Sequence, residues 1–455
     1  MRNIFWFRND LRFEDNIGFY NALEESREVI PVYIISDSFI NSPEINSARV
    51  NFLFDSLNYL NKQLEKYNSK LIIRTGNPEK ELITLARETN AKGIYFNKSY
   101  YKKEIATEKN IIGNFAKSGY RVKSFKDSVI FEEKDISVAT RKGLLDFDKF
   151  KKKWLAKIAK QEPIINNFTP KNYDKLIKKA SNIYTINQLN VKNFGFSEDK
   201  FIIEVNEEII KNAIENIIKE NNHNNNFFDY SVFFSIYTRF GNISIRNLLA
   251  NIDLDNLEKE PFLAQILDYI IKNDYYAQIE YLTPDEEINE DFSNDWEEYN
   301  YFLTICNSKS GLPIIDALMK QIEINFTIND NLKNILINFF MYVMQINTNW
   351  IKKYLICKTI NGDSYVSKNI IDYYKKKSIK NFDLIKESLE LDLEGNYIKH
   401  FLPILAEIPQ IFIHEPYKMP ISLQKKIKCL IGEDYPYPII KEGFIEIEHL
   451  TLIRE

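Results

Sequence analysis

With 455 residues the chain is too long for one ordinary core, and at roughly 150 residues per domain it divides into about two or three. Hydrophobic residues at 44%, aromatics at 14% and charged residues at 27% exclude a disordered chain. A net charge of -4 gives no general attraction for nucleic acid, whose binding depends instead on local clusters of Lys and Arg at phosphates.

From Asn3 to about Lys126, short β-branched and aromatic runs alternate with helical patterns. Strands are predicted at Ile4 to Phe7, Val29 to Ile35, Lys70 to Arg74, Gly93 to Phe96 and Tyr120 to Phe125. Amphipathic helices fall between them, as at Val50 to Tyr67 and Glu79 to Glu88. This alternation means right-handed crossovers and a mostly parallel, doubly wound sheet, with ligands at the carboxyl ends of its strands. The loop after the first strand carries Arg8, Asp10, Arg12 and Asp15, with Asn16 as the cap of the next helix. Pairing among these charges is expected to fix the turn. No GxGxxG follows, so an ordinary dinucleotide fingerprint is missing.

Residues 127–203 mix Lys, Asn and Pro with isolated apolar residues and read as a linker holding one helical piece, Phe147 to Ile158. From Glu204 onward helix dominates: Ile209, Ile210, Ala213, Ile214, Ile217 and Ile218 form one apolar stripe, and later segments repeat the pattern. The asparagine tract Asn221 to Asn226 reads as a surface loop. Three cysteines without CxxC spacing and four histidines without HxH or HExxH spacing suggest neither a disulfide framework nor a metal site. With no apolar run near 20 residues and no signal-peptide core, the expectation is a cytoplasmic protein with no membrane partner, working as a monomer.

Two brackets frame the chain: Trp6-Phe7-Arg8-Asn9-Asp10-Leu11-Arg12 with Asp15-Asn16, and His414-Glu415-Pro416-Tyr417-Lys418 with Asp434-Tyr435-Pro436. Together, in order and spacing, they resemble the photolyase/cryptochrome family of flavoproteins. The resemblance implies an α/β domain over 1–126, a linker over 127–203 and an all-α FAD-binding-type domain over 204–455. Its cofactor would be FAD, and the stretch Phe96 to Tyr101 with Glu104 resembles the side of the first domain that carries a folate or deazaflavin antenna chromophore.

Several segments of the helical half carry the resemblance to the flavin site. Ser231-Val232-Phe233-Phe234-Ser235, followed by Gly241-Asn242-Ile243-Ser244, is similar to the run that offers hydroxyls and amides to the flavin phosphates, which suits a helix start. Lys309 to Met319 resembles the TGxPxxDAxM segment, with Pro313 in a first turn and Ile314, Ile315, Leu318 and Ile322 as a buried face. Asn331 stands where the resemblance implies an Arg, and Asn does not restore its bidentate phosphate contact. In Asn361-Gly362-Asp363 the acid is retained, while Ser367 replaces the Asn beside the flavin's reactive nitrogen and Ile371 replaces the inner Trp of an electron-hopping chain. Trp350 and Trp296 fall at family-like positions of that chain; read structurally, both are core anchors. Gln265 keeps the amide that faces a flipped dimer, but the stacking Trp has become Asp268, which recovers little of the stacking energy and repels phosphate.

Two classes of function follow. In the first, reduced FAD drives light-dependent repair of pyrimidine dimers, with damaged DNA as partner. In the second, the chain is a photolyase-like or cryptochrome-like descendant that binds FAD or another nucleotide without repair, or a flavin-free scaffold.

Overall fold

The computed structural model describes residues 1–141, 143–160, 168, 170–198, 204–206, 208–212, 230–254, 261–282, 296–362, 366 and 382–439. Most of the stripe from Ile209 to Ile218, the asparagine tract, Asp363, Ser367 and Ile371 lie outside these residues.

All five predicted strands form: β1 (Arg2–Phe7), β2 (Glu28–Ser36), β3 (Ile72–Gly76), β4 (Gly93–Asn97) and β5 (Arg121–Phe125) make one parallel sheet in the order β3-β2-β1-β4-β5. β1 is central. Its residues Asn3 to Phe7 are buried in succession, as a strand covered on both faces requires. The crossovers are α1 (Ile17–Glu25), a short α2 (Asp37–Ile40) with α3 (Ser47–Glu65), α4 (Pro78–Thr89) and α5 (Lys102–Lys117). Asn16 caps α1 as expected, its side chain accepting from the Phe19 amide at 3.0 Å. The strand order reverses between β1 and β4, so the loops after these two strands form the switch point at which such sheets place their ligands.

The linker helix α6 (Phe147–Ile158) has the predicted bounds, and Phe147, Phe150, Trp154 and Ile158 are its buried face. Beyond it come α7 (Tyr230–Phe240), α8 (Ile245–Ala250) and α9 (Pro261–Leu282). By packing, the chain separates into Met1–Asp285 with Asp363–Asn369, and Glu286–Gly362 with Ile370–Glu455. Packing thus groups α7 to α9 with the sheet rather than with the later helices, because loop residues after β1 bury their charges against α7 and α8.

The second unit is helical: α10 (Trp296–Cys306), α11 (Pro313–Asn325), α12 (Asp330–Asn338), α13 (Thr348–Lys358), α14 (Leu384–Leu391), α15 (Asn396–Phe401) and α16 (Ile421–Ile427). Ile314, Ile315, Leu318 and Ile322 of α11 are buried, as predicted, together with Leu336, Ile351, Ile398 and Leu405. No helix among the described residues is long and apolar enough to cross a membrane.

Candidate flavin and substrate site

The charged loop after β1 is fixed by distant partners rather than by its own charges. Arg8 pairs with Glu104 at 2.6 Å and with Glu108, both on α5. Arg12 pairs with Asp127 at 2.7 Å, and Asp15 takes Arg246 of α8 at 2.9 Å. Arg246 also reaches Asp127 at 2.7 Å, so one carboxylate holds two guanidiniums. Asp10 accepts from the Arg8 amide at 2.6 Å and from the Asn97 side chain at 2.6 Å. Burial, with the nearby Asp127 charge, pushes the Asp10 carboxyl up to about 6. For Asp127 burial acts in the same direction, but Arg12 and Arg246 outweigh it and hold it below the usual carboxylate range. These groups fill the switch point so completely that the cavity between them is only about 40 Å³, too small for a nucleotide.

Within this network the expected phosphate run divides. Ser244 donates to Asp15 and accepts from the Arg246 amide at 3.1 Å, so its hydroxyl caps α8 inside the charge cluster. Gly241 has φ +75°, and a Cβ there would lie 2.1 Å from the Asn9 carbonyl oxygen. Both residues have structural duties, which accounts for them without a ligand. Ser231 lies in the first turn of α7, while Val232, Phe233 and Phe234 are buried, with Phe233 stacked on Tyr237 at 4.0 Å. Ser235 donates to the Val232 carbonyl at 2.8 Å.

α9 carries the candidate substrate face. Gln265 is exposed, and one turn later Asp268 pairs with Lys151 of α6 at 2.5 Å. The repulsion expected of Asp268 toward phosphate is therefore offset by a cation that sequence reading did not connect to it. Tyr269 shares a 2.7 Å hydrogen bond with Thr238, tying α9 to α7.

Further along, Asp274 is fully buried and accepts from the amides of Ile130 and Phe131, each at 2.9 Å, and from the Trp154 indole at 2.8 Å. This residue was legible in principle, because it sits on the apolar stripe of α9 at i+4 from Ile270. Burial pushes it up to about 7, against those three bonds. A carboxyl that ionises at about 7 when folded and near 3.9 when unfolded binds more protons in the folded state, so its contribution falls as pH rises between these values. The slope reaches about 1.4 kcal/mol per pH unit at most. Asp274→Asn should accordingly gain stability relative to the parent chain from pH 5 to pH 8 in urea titrations, and a pH-independent difference would contradict this.

Asp274 also borders a cavity of about 330 Å³, lined by Lys98, Ser99, Tyr100, Phe131, Gln278 and Tyr281 among others. The antenna-like stretch thus faces a space of ligand size, while Glu104 is taken by Arg8.

In the second unit, Asp316 of the TGxPxxDAxM-like segment accepts from the Ser310 and Gly311 amides at 2.8 and 3.0 Å and from the Tyr435 hydroxyl at 2.6 Å. The C-terminal bracket is thereby tied to the start of α11. Asn331 is exposed on α12, and Asn361 is buried. A Cβ on Gly362 would lie 2.5 Å from the Leu355 carbonyl oxygen, so this glycine serves the exit of α13. Trp350 is half-buried against Tyr299 and Phe302, with ring centroids at 5.4 and 5.6 Å. Trp296 is 75% exposed, 6.5 Å from Tyr299. The core-anchor reading suits Trp350 and does not hold for Trp296.

The chain thus has a parallel, doubly wound α/β region followed by helices. Residues 3–167 match the model for DNA photolyase, and residues 266–448 match the FAD binding domain of DNA photolyase. The chain belongs to the photolyase/cryptochrome family. It is 25% identical to the deoxyribodipyrimidine photo-lyase of Buchnera aphidicola, over 100% of this chain and 97% of that protein. The crystal structure of a bacterial class III photolyase from Agrobacterium tumefaciens matches with TM-score 0.81 at 23% identity, covering 97% of this chain and 95% of that one. A Synechocystis cryptochrome matches with TM-score 0.82 at 22% identity, covering 97% of each.

Proposed function

We propose that the chain is a light-driven DNA repair flavoprotein acting on pyrimidine dimers. The observation that carries this reading is on α9, where the exposed Gln265 stands beside an Asp268 whose charge is offset by Lys151. A face of that kind can accept an extruded base without repelling its phosphates.

The donor set fits a dinucleotide on its phosphate side. The first turn of α7 offers amides together with Ser231, and helix starts favour phosphate through their unpaired donors and partial positive charge. Ser235, one turn on, would add a hydroxyl only by giving up its bond to the Val232 carbonyl. By the family resemblance alone, Asn331, Asn361, Asp363 and Ser367 stand at positions that would contact a flavin, with Asn331 as a neutral replacement for a cation. FAD, when bound and reduced, supplies the electron that opens the dimer. Gln265 would hold the flipped base by hydrogen bonds, which offset part of the few kcal/mol of lost stacking. Trp350 and Trp296, with Tyr299 between them, would carry electrons from the surface when the cofactor is reduced by light. A folate or deazaflavin antenna would take the cavity beside Tyr100 and Phe131.

The purified protein should show a flavin spectrum and should lower the dimer count of single-stranded DNA under light with a reductant. An unchanged dimer count would reject repair and leave the cryptochrome-like reading, which the exchange of the stacking Trp for Asp268 favours; a colourless protein would reject both light-dependent readings and leave a flavin-free protein. Gln265→Ala should lower repair at subsaturating DNA about fivefold to tenfold, through loss of one hydrogen bond worth about 1 kcal/mol.

A further inference from the structure

The cavity of about 330 Å³ beside Asp274 has an apolar lining, to which Val129, Phe131, Ala277 and Tyr281 contribute. Its charges are unequal. Lys98 and Lys134 share the wall with four acids, Glu108, Glu132, Glu133 and Asp274. Both lysines meet the same carboxylate, since Lys98 reaches Glu132 at 2.9 Å and Lys134 reaches it at 3.2 Å. The Tyr100 hydroxyl donates to it as well, at 2.8 Å. Burial would raise the Glu132 carboxyl, but the bonds from Lys98 and Tyr100 outweigh it and hold the group down at about 2, an anion at neutral pH. Gln278 uses both ends of its amide, donating to the Ile136 carbonyl at 2.9 Å and accepting from the Val138 amide at 3.0 Å. Lys109 lies over the exposed Tyr281 ring at 5.6 Å, outside the wall, where water screens its charge.

We infer that this cavity takes an uncharged, planar ring compound and turns anions away. An uncharged ring gains contact with Phe131 and Tyr281 and leaves the paired polar groups undisturbed. A carboxylate or phosphate would lose its hydration beside four acids, and both wall lysines are already held by Glu132. That a ring enters here at all rests on the proposed antenna, whereas the refusal of anions comes from the wall itself. Of the two antenna types, the wall disfavours folate, whose glutamyl tail carries carboxylates.

The test is equilibrium dialysis of the full chain in the dark, with excess FAD so that the flavin site is closed to the probes. Two probes of nearly one shape differ in charge: 2-naphthalenemethanol is neutral and 2-naphthoate is an anion. The alcohol should bind at least about tenfold more tightly than the anion. Glu132→Gln releases Lys98 and Lys134, so naphthoate should gain about tenfold while the alcohol changes little. Ala277→Phe fills the space and should abolish binding of the alcohol; should that variant fail to fold, Glu132→Gln still decides. Folic acid should not displace the bound alcohol. No binding of the alcohol would overturn the inference and the antenna reading of this cavity together. Equal affinity for the two probes, displacement by folic acid, or no gain for naphthoate in Glu132→Gln would overturn the refusal of anions and leave the antenna reading standing.

Discussion

Replacing Asp127 with alanine is expected to destabilise the first unit by about 3–5 kcal/mol, the range for removing one partner from a buried ion cluster. Asp127 is 2% exposed and holds both Arg12 and Arg246 at 2.7 Å. Its loss leaves two buried guanidiniums with one fewer carboxylate between them, and alanine offers no hydrogen bond in return. A second consequence is separable from the first. Asp127 is one of the causes that raise Asp10 to about 6, so Asp10 should ionise at lower pH in the variant. Urea unfolding near pH 7.5 measures the stability, and NMR of the carboxyl measures the titration. A loss below about 1 kcal/mol would place Asp127 among ordinary surface pairs and contradict the network as described.

Gly241→Ala is expected to cost about 3 kcal/mol or more, and the cost should appear in the flavin-free protein. Alanine at φ +75° carries a penalty of about 1–2 kcal/mol from backbone sterics alone. The added carbon would also lie 2.1 Å from the Asn9 carbonyl oxygen and 2.4 Å from the Asp10 Cα, both backbone atoms that no rotamer change can move aside. The charged loop must shift, which strains the bonds from Leu11 to the Phe240 carbonyl at 3.2 Å and from Arg12 to the Gly241 carbonyl at 3.1 Å. If Gly241 served only a phosphate, the variant would lose flavin and keep its apoprotein stability. Comparing thermal unfolding of the flavin-free chains distinguishes the two duties.

The reading of the strands and helices from sequence succeeded because its signals are local. Alternating runs, a cap at Asn16 and the apolar spacing of α11 each depend on residues within a few turns of one another. The family, too, was legible, because its two brackets are short and keep their residue types. The charged loop shows where local reasoning stops. Arg8, Asp10, Arg12 and Asp15 suggested a turn fixed by its own charges, yet Arg8 is paired from α5 and Asp15 from α8. Likewise Lys151 and Asp268 lie 117 residues apart, and their pairing changes what Asp268 means for a phosphate.

By itself the sequence determined the α/β class, the parallel sheet, the helical second half and the membership of a flavoprotein family, since propensity, periodicity and short motifs are properties of neighbouring residues. Only the tertiary structure decided that Ser244 and Gly241 brace a buried charge cluster, that Asp274 holds the start of the linker, and that Lys151 of α6 meets Asp268 of α9. Those outcomes depend on which distant groups are desolvated together, and the cost of leaving a buried charge or donor unpaired is set by the fold rather than by the order of residues.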